Sequence, residues 1–305
     1  MPKTSSLAII AAMFISTLAP GAALAAGSAK AAWVSGHGTN AAGCGSLTNP
    51  CQTFQYTHDN VVAAGGLIAV LDSSNYGPLV IRNAISIVDD GGLAGIAVAS
   101  GDAISIQAGP NDAVLLKGLH IDGLGTANNG INLTSAGSLT VTKCTIEGFG
   151  ASNANGTVGN GIFIVPSAGN LNFSISDTIV TGNAWVGIYV LPLSVGGPVL
   201  VPAIVQGTIT NVESTRNAYG VAANAHGGGQ ATVFVNGVNA SLNSVDGFYN
   251  EAFLNLRRSM AIGNAKYGVE TNPLYQAYTY GDNVFDGNGI SNTSDPHSLL
   301  PATLQ

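Results

Sequence analysis

One five-position pattern recurs six times along this chain and constrains its fold more than any other feature. Leu116, Leu119 and Ile121 form the first copy, followed by Val141, Cys144, Ile146 and by Ile175, Thr178, Val180. Ile209, Val212, Ser214, then Val235, Val238, Ala240, then Leu256, Ser259, Ala261 complete the series. Each triplet has the spacing i, i+3, i+5, and from the third copy onward position i+8 is asparagine: Asn183, Asn217, Asn243 and Asn264. Copies start 25, 34, 34, 26 and 21 residues apart. A period of that size belongs to a solenoid, in which a unit buries its apolar face only against its neighbours.

Composition decides what kind of solenoid. Charged residues are 8% of 305, Gly numbers 41, and mean hydropathy is positive. Disorder needs the opposite balance, and stacked helices need Lys- and Glu-rich surfaces. The segments are short, β-branched and punctuated by Gly, Asn and Asp, as strands are. After each i+8 position a second strand opens on glycine, at Gly130, Gly161, Gly187, Gly220, Gly247 and Gly268. Returns of 21–34 residues are too long for tight hairpins and fit stacked parallel strands. Ile85-Ser86-Ile87 and Ile104-Ser105-Ile106 read as earlier coils, and Tyr280, Phe285, Asn288 as a last, weaker one. The asparagine column is expected to be a hydrogen-bonded ladder inside the stack.

The ends read differently. Residues 1–25 have the form of an export signal: Lys3, an apolar run from Leu7 to Leu18, and Ala23-Leu24-Ala25 as a cleavage site near Ala25. The expected location is therefore secreted, periplasmic or cell-surface. That run is too short to span a membrane, and Pro192, Pro198 and Pro202 make the apolar stretch 191–205 a loop. Cys44 and Cys51, seven apart, are expected to form a disulfide in an oxidising compartment. Cys144 sits in an inward column and reads as a small buried hydrophobe. Residues 53–64 read as a helix ended by Gly65-Gly66, placed to cover the open first coil. The expected organisation is a signal peptide (1–25), a segment with the disulfide loop and capping helix (26–66), the repeat (67–290) and a C-terminal tail or cap (291–305).

With these residues in view, the chain resembles the right-handed parallel β-helix proteins of the pectin-lyase-like superfamily. The stretch GHGTNAAGCGSLTNPCQTFQYTHDNVVAAGG and coils such as NFSISDTIVTGNAWVGIYV carry the resemblance over about residues 33–290. It implies an all-β, single-stranded right-handed parallel β-helix with an N-terminal capping helix, on which lyases, hydrolases, esterases and adhesins are built. The family's catalytic motifs are not carried over. Asp89-Asp90 precedes any Asn-Thr-Asp, His226-Gly227 lies in a Gly-rich turn, and no Arg-x-Lys occurs.

The register makes surface columns readable. His120 lies at an outward position beside Asp122, and Glu147 is expected one rung above Asp122. Two stacked carboxylates beside a histidine suit acid–base work on a glycosidic bond or a cation such as calcium. These three are the candidate catalytic residues, with Asp122 and Glu147 the candidate metal ligands; no cofactor is expected apart from that possible calcium. On the second strand the outward column runs Asn132, Phe163, Tyr189, Ala222, Tyr249, Glu270. Phe163, Tyr189 and Tyr249 would suit an extended sugar chain, or would pack under the 191–205 loop.

Nine basic residues against sixteen acidic ones, a formal charge of −7, leave no patch to neutralise phosphates, so nucleic acid is not an expected partner. The function expected is non-catalytic binding of extracellular or cell-envelope polysaccharide by a monomeric exported rod. The alternatives are a polysaccharide lyase or glycoside hydrolase, and a structural or adhesive surface protein.

Overall fold

The computed structural model describes residues 27–91, 94–195, 201–225, 228–295 and 299–302. Residues 1–25, where an export signal is expected, lie outside the described residues, as do His226, His297 and the middle of the 191–205 stretch.

Among the described residues, three long sheets of parallel strands run the length of the molecule. The chain passes from an eleven-stranded sheet to a six-stranded one, then to a nine-stranded one, and returns one rung further along. Ala113–Lys117, Leu119–Asp122 and Asn129–Ser135 make one such coil; Ser138–Thr142, Thr145–Glu147 and Asn160–Ile164 make the next. Their pairings keep equivalent positions in register: Val141 on Leu116 and on Ile175, Ile146 on Ile121 and on Val180, Ile162 on Ile131 and on Ile188.

All eighteen residues of the six triplets are buried, each at most 2% exposed. The polar members are satisfied within the stack, as buried polar groups must be. The Cys144 amide donates to Thr178 Oγ1 at 3.3 Å, the Val238 amide to Ser259 Oγ at 3.1 Å, and Ser214 Oγ donates to the Gly220 carbonyl at 2.6 Å. Cys144 is 2% exposed, and burial pushes its thiol up to about 11. One inward position is deliberately empty: the Phe173 ring occupies the space where a Cβ on Gly207, one rung above, would stand, 2.3 Å away.

Two of the three corners of a coil follow a rule along the stack. Position i+2 adopts the left-handed conformation in every copy: Gly118, Lys143, Asp177, Asn211, Gly237 and Arg258. Position i+7 does the same at Gly148, Gly182, Arg216, Leu242 and Gly263, immediately before the asparagine column or its equivalent. That column is a ladder. Asn183 Nδ2 donates to Asn217 Oδ1 at 3.0 Å, Asn243 Nδ2 to Asn264 Oδ1 at 3.1 Å, and Asn264 Nδ2 to Asn288 Oδ1 at 2.9 Å. The backbone amides of Asn183, Asn217, Asn243 and Asn264 each donate to the next side-chain oxygen at 3.0 Å. Each oxygen thus satisfies a corner amide that no strand can reach.

The N-terminal region differs from expectation in extent. The helix is Phe54–Asn60, capped by the Thr53 hydroxyl, and it buries Phe54, Thr57 and His58. Val61 and Val62, expected in its last turn, leave the helix, and Val62–Val70 is a strand that runs through Gly65 and Gly66. Two β-branched residues in succession favour the extended form, and a waiting partner strand, Ala29–Val34, takes up the register. The Cys44–Cys51 disulfide is present, with Cα atoms 5.0 Å apart, and Cys51 bridges to Val34. At the other end Ser291–Thr293 and Leu299–Pro301 add a rung to two of the sheets, within the stretch that the sequence marks as a tail or cap. Ser194–Val195 pairs antiparallel with Val201–Pro202, outside the three long sheets, but the loop expected over 191–205 ends sooner than the sequence suggests: Ile204 and Val205 already belong to the strand Ile204–Thr210 of the eleven-stranded sheet, where their β-branched side chains find a partner in Asn170–Ser176. No helix among the described residues is long and apolar enough to cross a membrane.

Candidate functional site

Two surface columns were singled out from the sequence, and the register places both as expected. On the six-stranded sheet Glu147 pairs with Asp122, and Thr145 with His120. His120 Nε2 lies 2.8 Å from Glu147 Oε1, a diagonal contact between rungs, with both side chains about two-fifths exposed. Asp122 turns to its own corner, where Oδ1 accepts the Leu124 amide at 2.8 Å. Lys117, just before, pairs with Asp90 instead. The three residues therefore form an exposed His120–Glu147 hydrogen bond with a neighbouring capping aspartate. Among the described residues, no group of three His, Cys, Asp or Glu side chains is placed to hold a metal ion.

The second column lies on the outer face of the nine-stranded sheet. Asn132, Phe163, Tyr189, Ala222, Tyr249 and Glu270 pair rung by rung. It is not an open aromatic strip. Phe163 is 3% exposed, its ring stacked on Tyr189 with centroids 5.3 Å apart. Beyond Tyr189 the small Ala222 interrupts the rings. Tyr189 and Tyr249 consequently stand two strand spacings apart, about 9.6 Å at the backbone, with a notch between them. Trp185 and Tyr219 close it from the adjoining corner: Trp185 meets Tyr219 edge-on at 5.3 Å, and Tyr219 meets Tyr249 edge-on at 5.6 Å. Trp185, Val186, Tyr189, Tyr219, Ala222, Asn224 and Tyr249 line a cavity of about 210 Å³.

Tyr249 also belongs to a second hollow, of about 310 Å³, lined by Glu251, Glu270, Thr271, Asn272, Pro273, Ser294 and Asp295. The two hollows meet at Tyr249, the first aromatic in its lining and the second acidic. Glu251 is nearly enclosed, 5% exposed, and its position is fixed by two amides: Asn224 Nδ2 donates to Oε2 at 2.8 Å and Asn272 Nδ2 to Oε1 at 3.0 Å. Burial and the Tyr189 phenol's proximity to the Glu251 charge push that phenol up to about 12. The Tyr249 phenol is raised by burial and by its hydrogen bond to the Glu251 carboxylate.

Behind the cleft lies Asp246, fully buried, paired across strands with Tyr219. Its Oδ1 accepts the Tyr267 amide at 2.8 Å, while no donor reaches Oδ2. Burial, then the adjacent Glu270 carboxyl, push Asp246 up to about 7, and Lys266 opposes them only weakly. Desolvation and the like charge beside it thus favour the protonated form of Asp246.

Sequence reading found Tyr189 and Tyr249 but missed Asp246, Glu251 and the notch. The signal was available: positions two residues beyond the aromatic column are also outward, and they read Asn224, Glu251, Asn272 on successive rungs. No protein-family model matches the chain, and no curated protein or solved structure matches it either.

Proposed function

We propose that this chain is an exported parallel β-solenoid that binds polysaccharide in the cleft on the outer face of its nine-stranded sheet. One observation carries the reading: Tyr189 and Tyr249 flank a one-rung notch at Ala222, with Trp185 and Tyr219 as side walls. Aromatic faces at that separation suit a pyranose ring, whose C–H faces stack on them, and Asn224, Glu251 and Asn272 supply the polar groups that fix hydroxyls. The disulfide fits an oxidising compartment, as the export signal requires. The finer fold reading belongs here too. The winding is taken as right-handed, the sense of nearly all parallel crossovers, the helix Phe54–Asn60 as the cap of the first coil, and the architecture as one that resembles the pectin-lyase-like superfamily.

Retention of the purified chain on insoluble polysaccharides, with calorimetry on soluble oligosaccharides, tests the proposal. Retention is expected, and Tyr189→Ala and Tyr249→Ala are each expected to weaken it at least tenfold. Equal retention of both variants would remove the cleft from the account.

A second reading has its own support. A buried carboxyl raised to about 7 against a second carboxyl is how a general acid is held protonated at neutral pH. Under this reading the protein hydrolyses the glycan it binds, with Glu270, which lines the cleft, facing the sugar and the buried Asp246 as the proton store behind it, in place of His120, Asp122 and Glu147. New reducing ends, lost in Asp246→Asn and Glu270→Gln, would establish it; binding without product over long incubation would exclude it.

A further inference from the structure

We propose that the sugar held in the notch is a pyranose whose ring substituents are all equatorial, as in β-linked glucose or xylose; this rests on the polysaccharide-binding reading above. The Phe163 and Tyr189 rings stand on neighbouring rungs, stacked at 22° with centroids 5.3 Å apart. One face of Tyr189 is therefore taken by Phe163, and the other is turned along the stack toward the next rung. That rung carries only the methyl of Ala222 at the equivalent position. Tyr249 follows one rung beyond and lines the same cavity. A sugar over Ala222 continues the stack, with one face against Tyr189 and the other toward Tyr249. The cavity of about 210 Å³ is smaller than the ~300–1,000 Å³ of sites that enclose a larger ligand, so it takes a single ring.

The polar groups of the notch lie at its rim and not on these faces. Asn224 hydrogen-bonds the Tyr189 phenol, and the Tyr249 phenol hydrogen-bonds the Glu251 carboxylate. Asn224 and Glu251 are themselves paired across strands and joined at 2.8 Å, so both phenols are drawn to the same side. The opposite side is walled by Trp185 and Tyr219. An equatorial hydroxyl radiates in the plane of the sugar and reaches the polar rim or the solvent. An axial hydroxyl stands off a face, against the carbons of a tyrosine ring, where it loses its water and gains no partner. Such unpaired burial is how a site rejects a close analogue. A ring that meets an aromatic wall on each side must therefore show only C–H on both faces. Inversion at C2 or C4 spoils one of them.

Calorimetric titration with three β-1,4-linked hexasaccharides, of glucose, xylose and mannose, tests this. All three share the same diequatorial linkage. Xylose lacks only the exocyclic CH₂OH, and mannose differs from glucose only in an axial hydroxyl at C2. The glucose and xylose oligomers are expected to bind within about threefold of each other, and each about tenfold or more tightly than the mannose oligomer. An axial C2 hydroxyl faces one wall only. The preference over mannose should therefore collapse in one of Tyr189→Ala and Tyr249→Ala and persist in the other, although both weaken binding. Thermal melts of the two variants confirm that the stack is folded. Equal or tighter binding of the mannose oligomer, or a preference that neither variant changes, would overturn the inference and leave the binding reading standing. Retention on an insoluble polysaccharide with none of the three oligomers bound would do the same. Binding of none of the three, nor of any insoluble polysaccharide, would overturn both.

Discussion

Two stacks of equivalent positions run along this molecule, and they behave in opposite ways. The corner asparagines keep one residue type from Asn183 to Asn288, are buried through Asn264, and pass their hydrogen bonds from rung to rung until the stack is satisfied. The outer column of the nine-stranded sheet changes at every rung, from Asn132 through rings to Ala222 and Glu270, and behind it Asp246 keeps an oxygen with no donor. A solenoid is stable through repetition, because each unit is the template for the next. A column that repeats is therefore holding the stack, and a column that departs from repetition is free to do something else.

The largest expected effect breaks the repeating stack. Asn243→Ala strips the acceptor from the Asn217 amide and leaves Asn264 Oδ1 without its side-chain donor, all in a buried corner. An unsatisfied buried group costs about 1–3 kcal/mol, so the loss should be about 3 kcal/mol in chemical denaturation, with no change in the cleft. Gly207→Ala comes next. Its new methyl would enter the Phe173 ring, and overpacking of that kind costs about 1–3 kcal/mol.

The non-repeating column is probed by pH. Asp246 has its folded pKa raised to about 7, above its value in the unfolded chain. Between about pH 4 and pH 7 the unfolded chain gives up this proton while the folded one keeps it, so stability falls as pH rises through that window. Asp246→Asn retains an acceptor for the Tyr267 amide and removes the titration. It should raise stability at pH 8 by on the order of 2 kcal/mol, change little at pH 4, and flatten the slope between; thermal melts across pH measure this. An equal effect at both pH values would contradict the placement of this proton on Asp246.

The smallest effect concerns a corner where repetition is imperfect. Leu242 holds φ 59° where Gly148, Gly182 and Gly263 stand in other rungs, and a left-handed side-chain-bearing residue is strained by about 1 kcal/mol. Leu242→Gly should stabilise by about 0.5 kcal/mol once the added freedom of the unfolded chain is deducted. A loss of stability would mean that exposed Leu242 makes a contact worth more than the strain.

The same division explains what the sequence made legible. Columns set by repetition were readable because a single spacing rule generates them: the eighteen buried triplet positions, the ladder, the pairing of Glu147 with Asp122, and the line from Phe163 to Tyr249. The left-handed corners were less plain because Lys143, Asp177, Arg258 and Leu242 do not announce that conformation as glycine does. The end of the helix was misplaced because Val61 and Val62 fit its apolar face, and only pairing with Ala29–Val34 draws Val62 into a strand. The cleft was half legible. Tyr189 and Tyr249 follow from the register, but the burial of Phe163, the edge-on approach of Trp185 and Tyr219, and the meeting of Asp246 with Glu270 depend on loops of unequal length between rungs. Spacing rules say nothing about those.

The chain contains two tryptophans, Trp33 on the N-terminal strand and Trp185 in the cleft wall. Trp33→Phe leaves Trp185 as the sole indole reporter of the non-repeating column. Titration of that variant with soluble oligosaccharides is the most direct test of the central claim. A saturable change in Trp185 emission, lost on adding Tyr249→Ala but kept on adding Asn243→Ala to the folded protein, is the predicted result. Emission that stays unchanged with every oligosaccharide, while the protein still binds polysaccharide, would place binding elsewhere and contradict it.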